Sequence, residues 1–165
     1  MTDGARKALV LGAGAGSAAL LIGALLFQYV GGLAPCQMCL WQRWPHAIAI
    51  ALVPLAFLLP TRLIAGLGAL TIFAGAAIGA FHAGVEWDWW EGITACAGAG
   101  DALTGLSGAD LLSTEGPLGV IRCDEAPWVF AGLSMAGWNA VFSAALAALW
   151  LRAAWPAPDP TTQTT

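Results

Sequence analysis

Charged positions divide this chain into long apolar stretches. No charged residue lies between Lys7 and Arg43, between Arg43 and Arg62, between Arg62 and Glu86, or between Glu125 and Arg152. A helix needs about 20 apolar residues to cross a hydrocarbon core roughly 30 Å thick. Residues 8–30, 63–85 and 128–151 meet that requirement directly. A further span over 40–59 contains Arg43, Pro45 and Pro54. Neighbouring helices can re-satisfy the backbone groups that proline frees. The pattern therefore predicts an all-α membrane protein, a bundle of four transmembrane helices forming one domain over 1–155.

The cations orient the bundle. Arg6 and Lys7 precede the first span, Arg62 lies in the turn between the second and third, and Arg152 closes the fourth. All four fall at one end, which the positive-inside rule assigns to the cytoplasm together with both termini. The opposite side receives the 31–35 turn and a long loop over 86–127, which holds eight of the ten acids and one cation, Arg122. The first apolar run exceeds the 7–15 residues of an ordinary signal-peptide core, so it reads as a retained helix.

Composition supports this picture. The 165 residues are 59% hydrophobic and 10% charged, with a formal net charge of −4. A nucleic-acid binder needs a cationic face, which excludes that class. The apolar content excludes a disordered chain. Glycines crowd the first and third spans, and Gly75 and Gly79 have the small-xxx-small spacing that lets membrane helices approach closely. Trp41, Trp44, Trp87, Trp89, Trp90, Trp128, Trp150 and Trp155 sit where spans should meet the membrane surface, as interfacial anchors. A turn of helix is expected at 109–112 and a disordered tail over 156–165. Glu86 and Asp88 read as solvated interface charges.

The four cysteines, Cys36, Cys39, Cys96 and Cys123, all fall on the outer side or at its boundary. That compartment permits disulfides. Four cysteines allow two bridges in three connectivities. The Cys36-Gln37-Met38-Cys39 spacing speaks for redox chemistry over structural stapling. So small a loop gains little closure entropy, and short bridges tend to be the labile, catalytic ones. A four-cysteine zinc site usually shows two close pairs. Cys96 and Cys123 stand 27 residues apart, and no metal site is assigned.

Arg43 follows Cys39 by four residues, so a helix places both on one face. Its guanidinium can stabilise a Cys39 thiolate and can bind a carbonyl oxygen of a ligand beside the helix. A lipid-soluble oxidant with carbonyl oxygens is a quinone. Cys96 sits in a Gly- and Ala-rich stretch suited to attack by an outside thiolate, and Cys123 lies close to the fourth span. His46 and His82 read first as packed, hydrogen-bonded residues. His46 is the better functional candidate, because proton transfer accompanies quinone reduction.

The stretches Pro35-Cys36-Gln37-Met38-Cys39-Leu40-Trp41-Gln42-Arg43-Trp44-Pro45-His46, His82-Ala83-Gly84-Val85-Glu86-Trp87, Thr94-Ala95-Cys96 and Cys123-Asp124-Glu125-Ala126-Pro127-Trp128 resemble the bacterial disulfide bond formation protein B (DsbB) family. The resemblance implies a multi-pass inner-membrane enzyme that reoxidises a periplasmic DsbA-type thiol oxidase and delivers the electrons to ubiquinone or menaquinone. It implies that Cys36 and Cys39 are the quinone-linked pair, with Cys39 in charge-transfer contact with the quinone and Arg43 holding it. It implies that Cys96 forms a mixed disulfide with the oxidase and that Cys123 resolves it. The segment between the third span and Cys96 departs from the family in being short and Trp-rich. Two rival readings are a vitamin K epoxide reductase-like enzyme and a non-enzymatic membrane protein with two structural disulfides. In the former the CxxC follows the loop cysteines; here it precedes them.

Overall fold

The computed structural model describes residues 1–93 and 123–156. Cys96, Arg122, the expected turn at 109–112 and the tail beyond Pro156 lie outside the described residues. Those described form helices α1 (Asp3–Tyr29), α2 (Gln37–Leu58), α3 (Thr61–Glu86) and α4 (Met135–Ala154), with a short hairpin of β1 (Val129–Phe130) and β2 (Leu133–Ser134) ahead of α4.

Local chemistry sets the helix starts. Thr2 caps α1 by accepting from Ala5 N, and Asp3 in the first turn pairs with Lys7 at 2.7 Å. An acid in this position complements the helix dipole, so α1 begins five residues before the charge-free run. The fourth helix instead starts later than the expected residue 128. Val129 pairs with Ser134 and Phe130 with Leu133 across a turn in which Ala131 (φ 50°) and Gly132 (φ 81°) are both left-handed. Two such residues make the primed turn that suits a tight hairpin. Ser134 then caps α4, accepting from Gly137 N at 3.1 Å.

Packing relies on small residues. α3 is the central helix, in contact with α2 and most extensively with α4. A side chain at Gly79 would meet the α4 backbone at Ala140 N and Ala136 O, and one at Gly75 would meet the Pro45 ring of α2. The two glycines thus serve different neighbours. Gly68 receives the ring of Trp150, which is 0% exposed and belongs to the core with Val10, Ala49 and Ile72. Trp150 is therefore not the interfacial anchor expected from its place near the helix end. One position of α3 without a side chain, Gly68, opens a slot for it.

The surface is inverted relative to a water-soluble protein. Ile22, Leu26, Leu63, Leu70, Phe73 and Leu151 face outward, while Ser17, Gln42, His46, His82 and Ser143 are buried. This arrangement suits an apolar solvent. Among the described helices, α1 and α3 are long and apolar enough to cross a membrane. At one end of the bundle, Arg6 donates to Ala153 O and Thr61 donates to Asp3, which joins the start of α1, the start of α3 and the end of α4. Arg62 and Arg152 adjoin these contacts. The start of α2, the end of α3 and the start of α4 meet at the other end, where Cys36, Cys39 and Cys123 lie.

Candidate redox site

Cys36 is the N-cap of α2. Its sulfur accepts from Cys39 N at 3.2 Å, so the CxxC spacing is also the spacing of a helix cap. The two sulfurs stand 2.9 Å apart as a dithiol. Unpaired backbone N–H groups at a helix start favour negative charge on sulfur. The hydrogen bond that Cys36 donates to Cys39, with burial, pushes the Cys36 thiol up to about 12. Cys36 keeps its proton, and the same hydrogen bond holds the Cys39 thiol below its ordinary value.

Cys123 packs directly against this pair. Cys36, Met38, Val85 and Cys123 form a buried cluster flanked by Cys39 and Phe81. His82 ties the cluster together. Its Nε2 lies 3.1 Å from the Cys123 carbonyl oxygen and 3.5 Å from Cys36 Sγ. The fold thus brings three of the four expected cysteines together, although Cys123 is 84 residues from Cys39 in the chain.

Below the dithiol, α1, α2 and α4 enclose a cavity of about 400 Å³. Its walls are apolar, with Ala24, Phe27, Trp128 and Phe142 among them, and Cys39, Arg43 and His46 reach it along one face of α2. Arg43 is held by Gln28 of α1 across 2.6 Å. His46 is 3% exposed, with its Nε2 at 3.0 Å from Asn139 Oδ1 and 3.3 Å from Ser143 Oγ of α4. A flat ring bearing oxygens fits such a space: apolar walls for its faces, guanidinium hydrogens for a carbonyl, and a thiolate at its edge.

Several groups here were not visible in the sequence as site residues. Glu86 is not a solvated charge: its side chain is 3% exposed, accepts from the Ser134 hydroxyl and lies 3.9 Å from His82. Asp88 is exposed, as expected. Gln42 and Asn139 join the two histidines into one hydrogen-bonded row, with Gln42 Nε2 at 2.8 Å from His82 Nδ1 and Asn139 Nδ2 donating to Gln42 Oε1 at 2.7 Å. The only local signal was the place of Gln42, three residues after Cys39 and hence on the helix face near it.

Comparison with known proteins bears on this site. A family model described as disulfide bond formation protein DsbB matches residues 6–153. The disulfide bond formation protein B of Azoarcus sp. (strain BH72) is 33% identical over 156 residues, covering 88% of this chain and 92% of that protein. That of Methylococcus capsulatus is 34% identical over 147 residues, covering 85% and 88%. That of Hahella chejuensis is 32% identical over 143 residues, covering 78% and 84%. No solved structure matches the chain significantly. A family match across nearly the whole chain, on a fold whose cap, cavity and buried cysteines converge, leads to one conclusion: the chain belongs to the DsbB family of disulfide bond formation proteins, and that membership implies thiol oxidoreductase activity.

Proposed function

We propose that this protein is a multi-pass enzyme of the bacterial inner membrane that reoxidises a periplasmic DsbA-type thiol oxidase and passes the electrons to ubiquinone or menaquinone. The observation that carries this reading is the shared cavity wall, on which Cys39 and Arg43 stand one helical turn apart beside an apolar space. In this reading the four helices span the bilayer, both termini are cytoplasmic, and Cys36, Cys39, Cys96 and Cys123 work on the periplasmic side.

Each protein step is a thiolate attack on a disulfide. A thiolate of the reduced oxidase attacks Cys96 in a Cys96–Cys123 disulfide, which releases Cys123. The oxidase's second thiol, rather than Cys123, then resolves the mixed bond and leaves as a disulfide, because attack by Cys123 would only re-form the starting bond. The Cys123 thiolate then attacks the oxidised Cys36–Cys39 pair, with which it shares a buried cluster, and Cys96 displaces that mixed bond by closing on Cys123 again, which leaves the electron pair on Cys36 and Cys39 as a dithiol. Quinone in the cavity supplies the final oxidising power, taking two electrons and two protons. Arg43 orients it through a carbonyl oxygen, and the apolar walls exclude water. The net change converts substrate dithiol and quinone into disulfide and hydroquinone.

Trapping tests the relay. An oxidase variant that lacks its second cysteine can open the Cys96–Cys123 disulfide but cannot resolve the mixed bond, so an adduct through Cys96 should accumulate on non-reducing gels and vanish in Cys96→Ser. A protein stapled by structural disulfides would form no such adduct.

A further inference from the structure

The row of hydrogen bonds between the two histidines has a fixed polarity. Gln42 is buried, and its Nε2 lies 3.3 Å from the Met38 carbonyl oxygen of its own helix. A carbonyl accepts only, so that atom must be the amide nitrogen and not the oxygen. The same nitrogen lies 2.8 Å from His82 Nδ1. Nδ1 therefore accepts, and the ring hydrogen sits on Nε2, facing the Cys123 carbonyl oxygen at 3.1 Å, Cys36 Sγ at 3.5 Å and Glu86 Oε1 at 3.9 Å. In the other direction, Gln42 Oε1 accepts from Asn139 Nδ2, which turns Asn139 Oδ1 toward His46. His46 Nε2 thus carries its hydrogen as well. One backbone carbonyl sets the tautomer of both histidines.

We infer that Gln42 is a positioning residue for the dithiol: it fixes on His82 Nε2 the hydrogen that meets the Cys36 sulfur, and Asn139 holds Gln42 in that orientation. The inference rests on the proposed dithiol–quinone reaction. Closing the Cys36–Cys39 disulfide removes the Cys36 thiol hydrogen and sends two electrons to quinone. That proton and one from water end on the quinone oxygens. As the hydrogen leaves Cys36, charge grows on its sulfur, and the His82 N–H is the donor that meets it. A bare Nε2 in that place would oppose the charge. The same hydrogen works against a metal ion on Cys36, Cys39 and His82, although their donor atoms lie within 4.8 Å of one another. Nε2 would have to give up its hydrogen while Nδ1 is already occupied by an amide N–H.

Two measurements test this. Nitrogen-15 NMR of the histidine-labelled, reduced full-length protein in detergent reads the tautomers directly. The chain has two histidines. Both rings should carry their hydrogen on Nε2, and an Nδ1–H signal from either would overturn the inference without bearing on the proposed reaction. Single-turnover reduction of a short-chain soluble quinone by the reduced protein reads the consequence. Gln42→Met should slow turnover about 10- to 100-fold, the range seen when a histidine loses its orienting partner, with the loss carried mainly by kcat although Gln42 also lines the cavity. Unchanged turnover in Gln42→Met, or a rise in KM that accounts for its whole loss, would overturn the positioning role. A parent protein that reduced no quinone would instead overturn the proposed function.

Discussion

Cys36 and Cys39 are chemically unequal although they share one helix start. Cys36 donates its hydrogen to Cys39 and is held up to about 12 by that bond and by burial. A raised thiol stays protonated at every pH below the shifted value, so Cys36 supplies no thiolate near neutrality. A brief alkylation of the reduced protein at pH 7, read by peptide mass spectrometry, should label Cys39 and spare Cys36. Labelling of Cys36 should still be climbing at pH 10. Equal labelling at pH 7 would contradict the assignment. Arg43 acts at the same scale. Removing its fork should lower kcat/KM for quinone about 10- to 100-fold, as expected for a lost hydrogen bond to a charged group of about 1.5–3 kcal/mol. Arg43→Ala should leave thermal unfolding nearly unchanged, because its partner Gln28 remains part of α1.

Between elements, the decisive contacts are those of α3 and the start of α4. A Cβ at Gly79 already stands 3.1 Å from Ala140 N. Gly79→Val should therefore destabilise the bundle by about 1–3 kcal/mol, the cost of overpacking a tight interface. Ser134 caps α4 and also donates to the buried Glu86. Ser134→Ala should cost about 1–2 kcal/mol. Thermal unfolding in detergent, followed by tryptophan fluorescence, measures both. These pairings also mark where sequence reading stops. The cap-forming CxxC, Arg43 one turn on and the apolar spans were legible because each depends on spacings of a few residues. Gln42 meets Asn139 across 97 positions, His82 meets Cys123 across 41, and Glu86 meets Ser134 across 48. No local periodicity encodes such partners. The hairpin over 129–134 was hidden for a different reason: its residues are apolar enough to extend a membrane span, and only the left-handed Ala131-Gly132 turn separates them from α4.

At the scale of the whole molecule, the bundle separates two ends. One gathers the start of α1, the α2–α3 turn and the end of α4; the other gathers the dithiol, His82 and the hairpin. A reporter that is active only in the periplasm should be silent when fused to either terminus and active when inserted at about residue 100. The reverse pattern would place the thiols on the wrong side for an exported partner. Between the two ends, apolar residues of α1 and α4 wall the cavity, which suits a lipid-dissolved oxidant. The most direct measurement of this electron route is anaerobic hydroquinone formation from a purified DsbA-type dithiol, stoichiometric quinone and this protein. One hydroquinone should appear per dithiol consumed, and the yield should fall to background in each of Cys36→Ser, Cys39→Ser, Cys96→Ser and Cys123→Ser. Undiminished hydroquinone formation in Cys36→Ser or Cys39→Ser would contradict the account.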